Sequence, residues 1–354
     1  TARRLHSNSR EPLPRKLQKL LFALATLDVF GPTTSEGSIV SNSVSALNAS
    51  QNTADRESDV DVAFSEEVLA GLMSSPKSLS SKYFYDDVGS QLFQNITSHE
   101  DYYPTRKELE IFTAIQHHLP TLFPSGAIEV IELGVGDGHK SRLLLEGFLQ
   151  AGHSVRYTPI DISEQAMAML EDNLPEHEAL KTAGIVGDYI DALSHIDKGA
   201  SRQRLVLFLG SNIGNFDLPG ARGFLHRVRS HLNRGDHLLI GFDLKKDIRV
   251  VTRSYNDSDG HTSEFNLNLL RRINREFNAN FILNNFDHVG IYDPILGATE
   301  CYLIATQAHE VYTRALNASF ALAAYQPIHT DYPFNYHEDD MERPSKAAGI
   351  GGGE

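Results

Sequence analysis

Short apolar runs alternate with stretches of helical periodicity between residues 127 and 244, and this alternation constrains the fold more than any other feature of the chain. Five buried strands are predicted at residues 127–133, 155–160, 185–186, 205–210 and 237–242. Helical periods lie between them, with apolar positions such as Leu144, Leu170 and Phe224. Strands separated by helices of this length form a parallel sheet that is covered on both faces. The expected fold class is therefore α/β, with a doubly wound, mostly parallel sheet.

After Leu244 the periodicity changes, which indicates a second unit. Residues 265–277 have the pattern of an amphipathic helix, and residues 291–292 and 300–305 have that of a strand pair. The aromatic segment from Lys82 to Tyr103 precedes the sheet and is expected to join the same unit. We therefore expect a smaller α+β subdomain, inserted after the fifth strand.

Composition argues against several classes of function. There are 32 Lys and Arg residues against 46 Asp and Glu, which gives a formal net charge of −14 and argues against nucleic-acid binding. The single cysteine, Cys301, excludes an internal disulfide and a multi-cysteine metal site. The 16 histidines show no metal-binding spacing such as H-E-x-x-H, so no metal is expected. No apolar stretch reaches the roughly 18 residues that a membrane-spanning helix needs, so no membrane association is expected.

A glycine-rich loop, Glu132-Leu-Gly134-Val-Gly136-Asp-Gly138, follows the first predicted strand and precedes a helix. Glycine at this place allows a tight turn and lets a ligand approach the backbone. Asp161 ends the second strand, where a carboxylate accepts hydrogen bonds from ribose hydroxyls, and Asp188 follows the third, within reach of an adenine amine.

Three interpretations of this loop remain open. The spacing G-x-G-x-G differs from the dinucleotide fingerprint G-x-G-x-x-G, so S-adenosylmethionine is favoured over a nicotinamide or flavin cofactor. A turn that only packs a helix on the sheet is the structural alternative. Acids at two successive strand ends, Asp161 and Asp188, make that alternative less favourable.

Seven segments, in order and at similar spacing, resemble the histidine Nα-methyltransferases of ergothioneine biosynthesis. They are residues 82–90, 102–106, 132–140, 159–163, 210–215, 255–257 and 265–268. The resemblance implies a Rossmann-like sheet that binds S-adenosylmethionine and a substrate-binding subdomain. It implies transfer of three methyl groups to the α-amine of free histidine, which gives hercynine. Relatives in this family methylate other amino acids, including a prenylated tryptophan.

The resemblance also implies roles for individual residues. Tyr85 and Asn215 are expected to hold the α-amine and to be the catalytic pair, Asn215 and Tyr255 to hold the carboxylate, and Tyr102 to line the side-chain pocket. The cofactor is expected to contact Glu132, Gly134, Gly136, Gly138, Lys140, Asp161 and Asp188. Tyrosine and asparagine orient an amine without a permanent charge, and tyrosine faces attract a quaternary ammonium through cation–π interaction. Arg106 and Glu108 are interpreted as a local ion pair or helix cap.

The sequence departs from the family pattern in the segment that recognises the substrate side chain. Asp331 stands where the family has a glutamate, Pro333 where it has a serine, and Cys301 where it has a methionine. The sequence thus predicts how the α-amine and carboxylate of an amino acid are bound, but not which side chain is recognised. Histidine is the expected substrate. A tryptophan derivative and a non-catalytic S-adenosylmethionine-binding protein are the alternatives.

These arguments predict a division into five parts. Residues 1–59 are a disordered or targeting lead, 60–126 the N-terminal helical part of the substrate subdomain, 127–244 the methyltransferase domain, 245–336 the inserted substrate-binding subdomain, and 337–354 an incomplete return with a flexible tail. At residues 20–27 a short helix or disordered lead is favoured over a targeting remnant, because no small-residue cleavage site is obvious.

Two final strands of the family pattern are expected to be missing, which would leave an unpaired sheet edge. We expect a cytoplasmic monomer, with an organellar location as the alternative.

Overall fold

The computed structural model describes residues 22–26, 62–196, 202–337 and 351–352, of which 22–26 and 351–352 are described as backbone strands only. Its helices are α1 (Val62–Met73), α2 (Asp87–Ser98), α3 (Tyr103–Ile115), α4 (His139–Gln150), α5 (Glu164–Asn173), α6 (Tyr189–Ser194), α7 (Leu218–Ser230), α8 (Ile248–Ser254) and α9 (His261–Phe277). Its strands are β1 (Phe22–Thr26), β2 (Lys77–Ser78), β3 (Ala127–Leu133), β4 (Ser154–Asp161), β5 (Leu180–Thr182), β6 (Ile185–Val186), β7 (Gln203–Phe208), β8 (His237–Gly241), β9 (Phe286–Asp293), β10 (Ala298–Ala305), β11 (His309–Thr313), β12 (Ala318–Leu322), β13 (Pro327–Asp331) and β14 (Gly351–Gly352).

The main sheet has the strand order β14-β1-β8-β7-β3-β4-β5, with β6 also paired to β4. The pairs from β8 to β5 are parallel. Strands β3, β7 and β8 are almost wholly buried because apolar side chains point to both faces. Helices α4 and α5 cover one face, and α6 and α7 cover the other. The predicted doubly wound α/β sheet is confirmed.

The edge of the sheet beside β8 differs from the expectation. Strand β1 pairs antiparallel with β8 from Phe22↔Gly241 to Thr26↔His237, and β14 pairs antiparallel with β1. The predictions of a short helix or disordered lead at residues 20–27 and of an unpaired edge are therefore wrong for these residues. A free edge strand presents unsatisfied N–H and C=O groups, and an apolar segment that is extended can pair with them.

A second unit, which we call the cap, contains α1, α2, α9, a four-stranded sheet in the order β2-β13-β10-β9, and the β11–β12 hairpin. Its core is rich in aromatic side chains, and the Phe84 and Phe265 rings lie 4.7 Å apart. The amphipathic helix predicted at 265–277 lies within α9, and the predicted strand pair is β9 with β10. The aromatic segment before the sheet contributes to this core, as expected.

The packing differs from the predicted division at one place. Phe112 of α3 and the following Leu119 and Phe123 belong to the core of the main sheet, although they fall within the segment assigned to the substrate subdomain. The five-part division otherwise stays a prediction. No helix in the described ranges combines the length and apolar character that crossing a bilayer requires.

Candidate active site

The glycine-rich loop after β3 turns through left-handed backbone conformations. Gly134, Gly136 and Gly138 have φ angles of 79°, 58° and 77°, which glycine adopts without the steric cost of a Cβ. A Cβ on Gly134 would lie 2.8 Å from Nδ2 of Asn212 and 3.0 Å from the hydroxyl of Tyr189. The loop therefore needs glycine at this position, where its backbone faces an open cavity.

Asp161, at the end of β4, holds this loop in place. One carboxylate oxygen accepts a hydrogen bond from the Val135 N–H at 3.0 Å, and the other accepts one from the Ser163 N–H at 2.9 Å. Burial raises the pKa of Asp161, while the backbone hydrogen bonds oppose that rise. A carboxylate has about four acceptor sites, so capacity remains for hydroxyl donors on a ligand.

A cavity of about 850 Å³, the loop cavity, lies between this loop, α2 and α3. Four of the seven predicted cofactor residues line it, namely Gly134, Gly136, Lys140 and Asp161. Ser90 and Tyr189 line it as well, and the Ser90 hydroxyl lies 3.0 Å from that of Ser163, which links the cap to α5.

The other three predicted cofactor residues are not among those that line the loop cavity. Glu132 is buried beneath the loop, where its carboxylate accepts a 2.6 Å hydrogen bond from the Tyr157 hydroxyl, and burial raises its pKa to about 7. Gly138 begins α4, packed so closely that a Cβ would lie 2.5 Å from Leu170. Asp188 is exposed and caps α6 by accepting hydrogen bonds from the N–H groups of residues 190 and 191. Each of these residues has a local structural role.

Glu108 has a role that the sequence interpretation missed. Its carboxylate is buried, and its two oxygens lie 2.7 Å from Nζ of Lys140 and 2.7 Å from the backbone nitrogen of Gly210. Burial lowers the pKa of Lys140, but Glu108, together with Glu132 and Asp137, outweighs this effect and the net pKa is raised. Arg106 donates instead to the carbonyls of His99 and Glu100, so a local pair with Glu108 is wrong.

A second cavity of about 750 Å³, the cap cavity, lies between the cap and the carboxyl ends of β7 and β8. All five predicted substrate residues line it: Tyr85, Tyr102, Asn215, Tyr255 and Asp331. Cys301 and Pro333, which depart from the family pattern, line it too. The structure thus brings the predicted substrate set together, while the role of each residue stays a prediction.

The cap cavity has an acidic and aromatic wall. Of the described residues that line it, none is lysine, arginine or histidine, and the two acids are Asp243 and Asp331. Burial raises the pKa of the Tyr85, Tyr102 and Tyr255 phenols, which are therefore neutral at physiological pH.

The two acids of this wall differ in their surroundings. Asp243 accepts hydrogen bonds from the Tyr103 hydroxyl, the Lys246 ammonium and the Asn335 amide. Asp331 has no salt-bridge partner among the described residues, and one of its oxygens accepts a hydrogen bond from the Tyr332 N–H at 3.0 Å. Burial raises its pKa to about 6, although hydrogen bonds from Ser81 and Tyr332 oppose that rise. Asp331 is thus the acid that is available to a ligand in the cap cavity.

The two cavities adjoin at residues that line both. Tyr85, Tyr102, Asn212 and Asn215 are among the shared residues. A group bound in the loop cavity and a group bound in the cap cavity would meet there. Asn212 belongs to the segment 210–215 that resembles the family. Its closeness to Gly134 could not be predicted from the sequence and is seen only in the structure. Within the described part of the chain, no cluster of histidine, cysteine or acidic residues has the arrangement of a metal site.

Comparison with known proteins identifies a methyltransferase family that matches most of the chain. The sequence pattern of the family described as "Histidine-specific methyltransferase, SAM-dependent" matches residues 64–352. The chain is 34% identical over 291 residues to the histidine N-alpha-methyltransferase of Mycobacterium tuberculosis, covering 82% of this chain and 89% of the relative. It is 31% identical over 280 residues to ergothioneine biosynthesis protein 1 of Neurospora crassa, covering 78% of this chain and 31% of that protein.

A more distant relative acts on a different amino acid. The 4-dimethylallyltryptophan N-methyltransferase of Claviceps purpurea is 30% identical over 216 residues, covering 58% of this chain and 62% of the relative. The family pattern covers most of the chain, including the glycine-rich loop and both cavities. The chain belongs to the SAM-dependent, histidine-specific methyltransferase family and is an N-methyltransferase that uses S-adenosylmethionine.

Proposed function

We propose that the protein transfers methyl groups from S-adenosylmethionine to the α-amine of free histidine, as a step of ergothioneine biosynthesis. The observation that carries the proposal is the junction of the two cavities at Tyr85 and Asn215. One cavity has a glycine loop and a strand-end carboxylate, as a nucleoside requires. The other has neutral phenols, a carboxamide and an acid, as a small zwitterion with a nitrogen-bearing side chain requires.

The residues of the loop cavity fit the cofactor. Gly134 and Gly136 line the cavity, Asp161 places a carboxylate there for ribose hydroxyls, and Lys140 provides a cation for a carboxylate. When bound, S-adenosylmethionine would supply a methyl group on a sulfonium, which a neutral amine can take as the C–S bond breaks and S-adenosylhomocysteine leaves. The chain's own residues bind and orient, and they keep the two cavities adjacent.

Methyl transfer needs an amine lone pair that points along the line of displacement. Asn215 accepts an amine N–H through its carbonyl oxygen, and Tyr85 is a neutral phenol at the same junction. Since neither group carries charge, neither opposes loss of the amine proton to solvent or the later quaternary product. Correct orientation of reacting groups supplies several kcal/mol of catalysis, about 7 or more in well-oriented systems.

Asp331 is the residue that we assign to the substrate side chain. Its carboxylate lies in the cap cavity and accepts a hydrogen bond from an imidazole N–H. It is one methylene shorter than glutamate, and Pro333 offers no hydroxyl. Discrimination between side chains therefore depends on Asp331 and on the aromatic wall.

A panel of free amino acids with labelled S-adenosylmethionine tests the proposal. We expect label to enter histidine with the highest kcat/KM, and mass spectrometry to show a trimethylated product. No transfer to any amino acid would overturn catalysis, and stabilisation by S-adenosylhomocysteine without any product would favour a non-catalytic binding protein.

A tryptophan derivative is the second candidate substrate. The Claviceps relative carries this name, and the aromatic wall of the cap cavity suits an indole. Asp331 favours histidine, because an imidazolium can pair with a buried carboxylate as a cation, whereas an indole offers only a neutral N–H. A higher kcat/KM for tryptophan or 4-dimethylallyltryptophan than for histidine would reverse this order.

Asp331→Asn should weaken histidine binding and stabilise the ligand-free protein. Burial raises the folded-state pKa of Asp331 from 3.8 to about 6. The folded state therefore prefers the protonated acid, and its advantage is complete below about pH 4 and lost as pH rises through 6. At pH 8 the neutral amide should add about 1–3 kcal/mol to the free energy of unfolding, with little gain at pH 4.

Denaturant unfolding at both pH values, together with the KM for histidine, checks this prediction. We expect the KM to rise by about tenfold or more, since a charge-assisted hydrogen bond is lost. Asp287→Asn, on the exposed side of β9, is the matched control and should change neither quantity. Equal stabilisation at pH 4 and pH 8 would contradict the assigned cause.

We further infer a monomer that acts in the cytoplasm on a small molecule and binds no nucleic acid. The net charge of −14 supports the last point, and a buried free thiol at Cys301 is compatible with a reducing compartment. Light scattering of the purified protein tests the oligomeric state, and a dimer mass would contradict it.

A further inference from the structure

We propose that Tyr336 is a positioning residue for Asn215, and that it couples the side-chain end of the cap cavity to the end that holds the amine. The inference rests on the proposed role of Asn215 in the site. Tyr336 lines neither cavity, so it acts through the turn that carries Asn215.

Asn215 lies on a short 3-10 turn, Asn212–Asn215, that needs support from outside. Ser211, which precedes the turn, has a φ of 60°. A non-glycine residue adopts this left-handed conformation at a cost of order 1–3 kcal/mol, and it persists only where surrounding contacts fix it. The Asn215 side chain itself faces the cavities, so it gains little support from the core.

The Tyr336 hydroxyl supplies that support from the other side of the turn. It lies 2.7 Å from the carbonyl oxygen of Ile213 and 2.7 Å from that of Phe216, and it donates to this pair. These two carbonyls bracket Asn215 in the chain. A single hydroxyl thus fixes the backbone on both sides of the residue that we expect to hold the amine.

Tyr336 is itself held firmly. Its ring is 2% exposed and packs edge-on against Phe242 at 6.4 Å. Its backbone N–H donates to the carbonyl of Asp243, and its carbonyl accepts from the N–H of Lys245, both at 2.9 Å. The hydroxyl is therefore anchored to the loop after β8, in the core of the main sheet.

The chain between Asp331 and Tyr336 makes a second contact with the same turn. The Phe334 N–H donates to the carbonyl of Gly214 at 2.8 Å, and a Cβ on Gly214 would lie 3.0 Å from the Phe334 carbonyl oxygen. Six consecutive residues thus connect the acid assigned to the substrate side chain with the support of Asn215.

Tyr336→Phe removes only the hydroxyl, and Tyr302→Phe is its matched control. Tyr302 donates to Glu300 within the cap and lines neither cavity. We expect Tyr336→Phe to lower kcat/KM for the amino acid by roughly ten- to a hundredfold, because a displacement near 1 Å has effects of this order. The dissociation constant for S-adenosylhomocysteine should change by less than about twofold, which separates positioning from general loss of structure.

Hydrogen exchange provides a readout that does not depend on the substrate. In Tyr336→Phe the amides of Gly214 and Phe216 should exchange about tenfold faster or more, while those of β7 stay unchanged. Unchanged exchange at these amides would overturn the inference, and so would kcat/KM equal to that of the wild type. Failure of the wild type to methylate any amino acid would instead overturn the proposed function, and the exchange result would still decide the role of Tyr336.

Discussion

Asn215→Ala should lower methyl transfer by about a thousandfold or more while the affinity for S-adenosylhomocysteine stays within about threefold of the wild type. Asn215 lines both cavities where they meet, and its carboxamide is the group that we assign to the amine and the carboxylate of the substrate. Alanine removes the hydrogen bonds that orient the amine, but it leaves the glycine loop, Asp161 and Lys140 in place. We therefore expect a lower kcat and a higher KM for the amino acid.

Single-turnover kinetics and calorimetric titration of S-adenosylhomocysteine check this prediction. Asn284→Ala, an exposed position after α9, is the matched control and should behave as the wild type. If cofactor affinity collapsed in Asn215→Ala, the residue would belong to the cofactor site and the substrate assignment would be wrong.

Gly134→Ala should weaken cofactor binding by about a hundredfold or more, and catalysis should fall with it. The added Cβ would lie 2.8 Å from Nδ2 of Asn212 and 3.0 Å from the Tyr189 hydroxyl, at a backbone φ of 79°. A methyl group in that place must push Asn212 or Tyr189, both of which line the loop cavity, out of position.

Gly152→Ala separates the cost of a left-handed backbone from the steric clash inside the loop cavity. Gly152 has a φ of 82°, and a Cβ there would meet nothing within 4 Å. Both variants carry a similar backbone cost, of order 1–2 kcal/mol, so both should lose some thermal stability. Only Gly134→Ala should lose the cofactor in a titration. Equal affinities for the cofactor in the two variants would show that the loop at Gly134 does not form part of the cofactor site.

The main sheet could be predicted from the sequence because its strands are buried on both faces. The predicted strand at 127–133 coincides with β3, and β4, β7 and β8 agree to within two residues at either end. Continuous apolar runs between helical periods have few alternative folds. The seven resembling segments also predicted which residues come together, since each segment contributes residues to the walls of the two cavities.

Other elements left no comparable pattern in the sequence. Strand β1 is short and takes its partners from β8, more than 200 residues away, so its extended state follows from tertiary pairing. Strand β13 and the β11–β12 hairpin are five-residue strands with mixed burial. Such strands are specified by their neighbours more than by their own periodicity.

Long-range pairing also explains why the interpretation of Glu108 was wrong. The partner of Glu108 is Lys140, 32 residues further on, so proximity in sequence wrongly suggested Arg106. Asp188 follows a strand, as a cofactor acid would, and it also caps the following helix, so its contact with the cofactor stays a prediction. Local spacing could not distinguish these two roles.

Among the described residues that line the cap cavity, the charged side chains are all acidic. This affects how the cavity accommodates the proposed trimethylated product. An amine can give up a proton to lose its charge, whereas a trimethylated nitrogen cannot. Phenol faces attract such a permanent cation through cation–π interaction, while carboxylates keep only a Coulomb attraction to it because no N–H remains to donate. In the proposed reaction, no cationic side chain of this wall therefore opposes the charge that the substrate nitrogen gains as it is methylated.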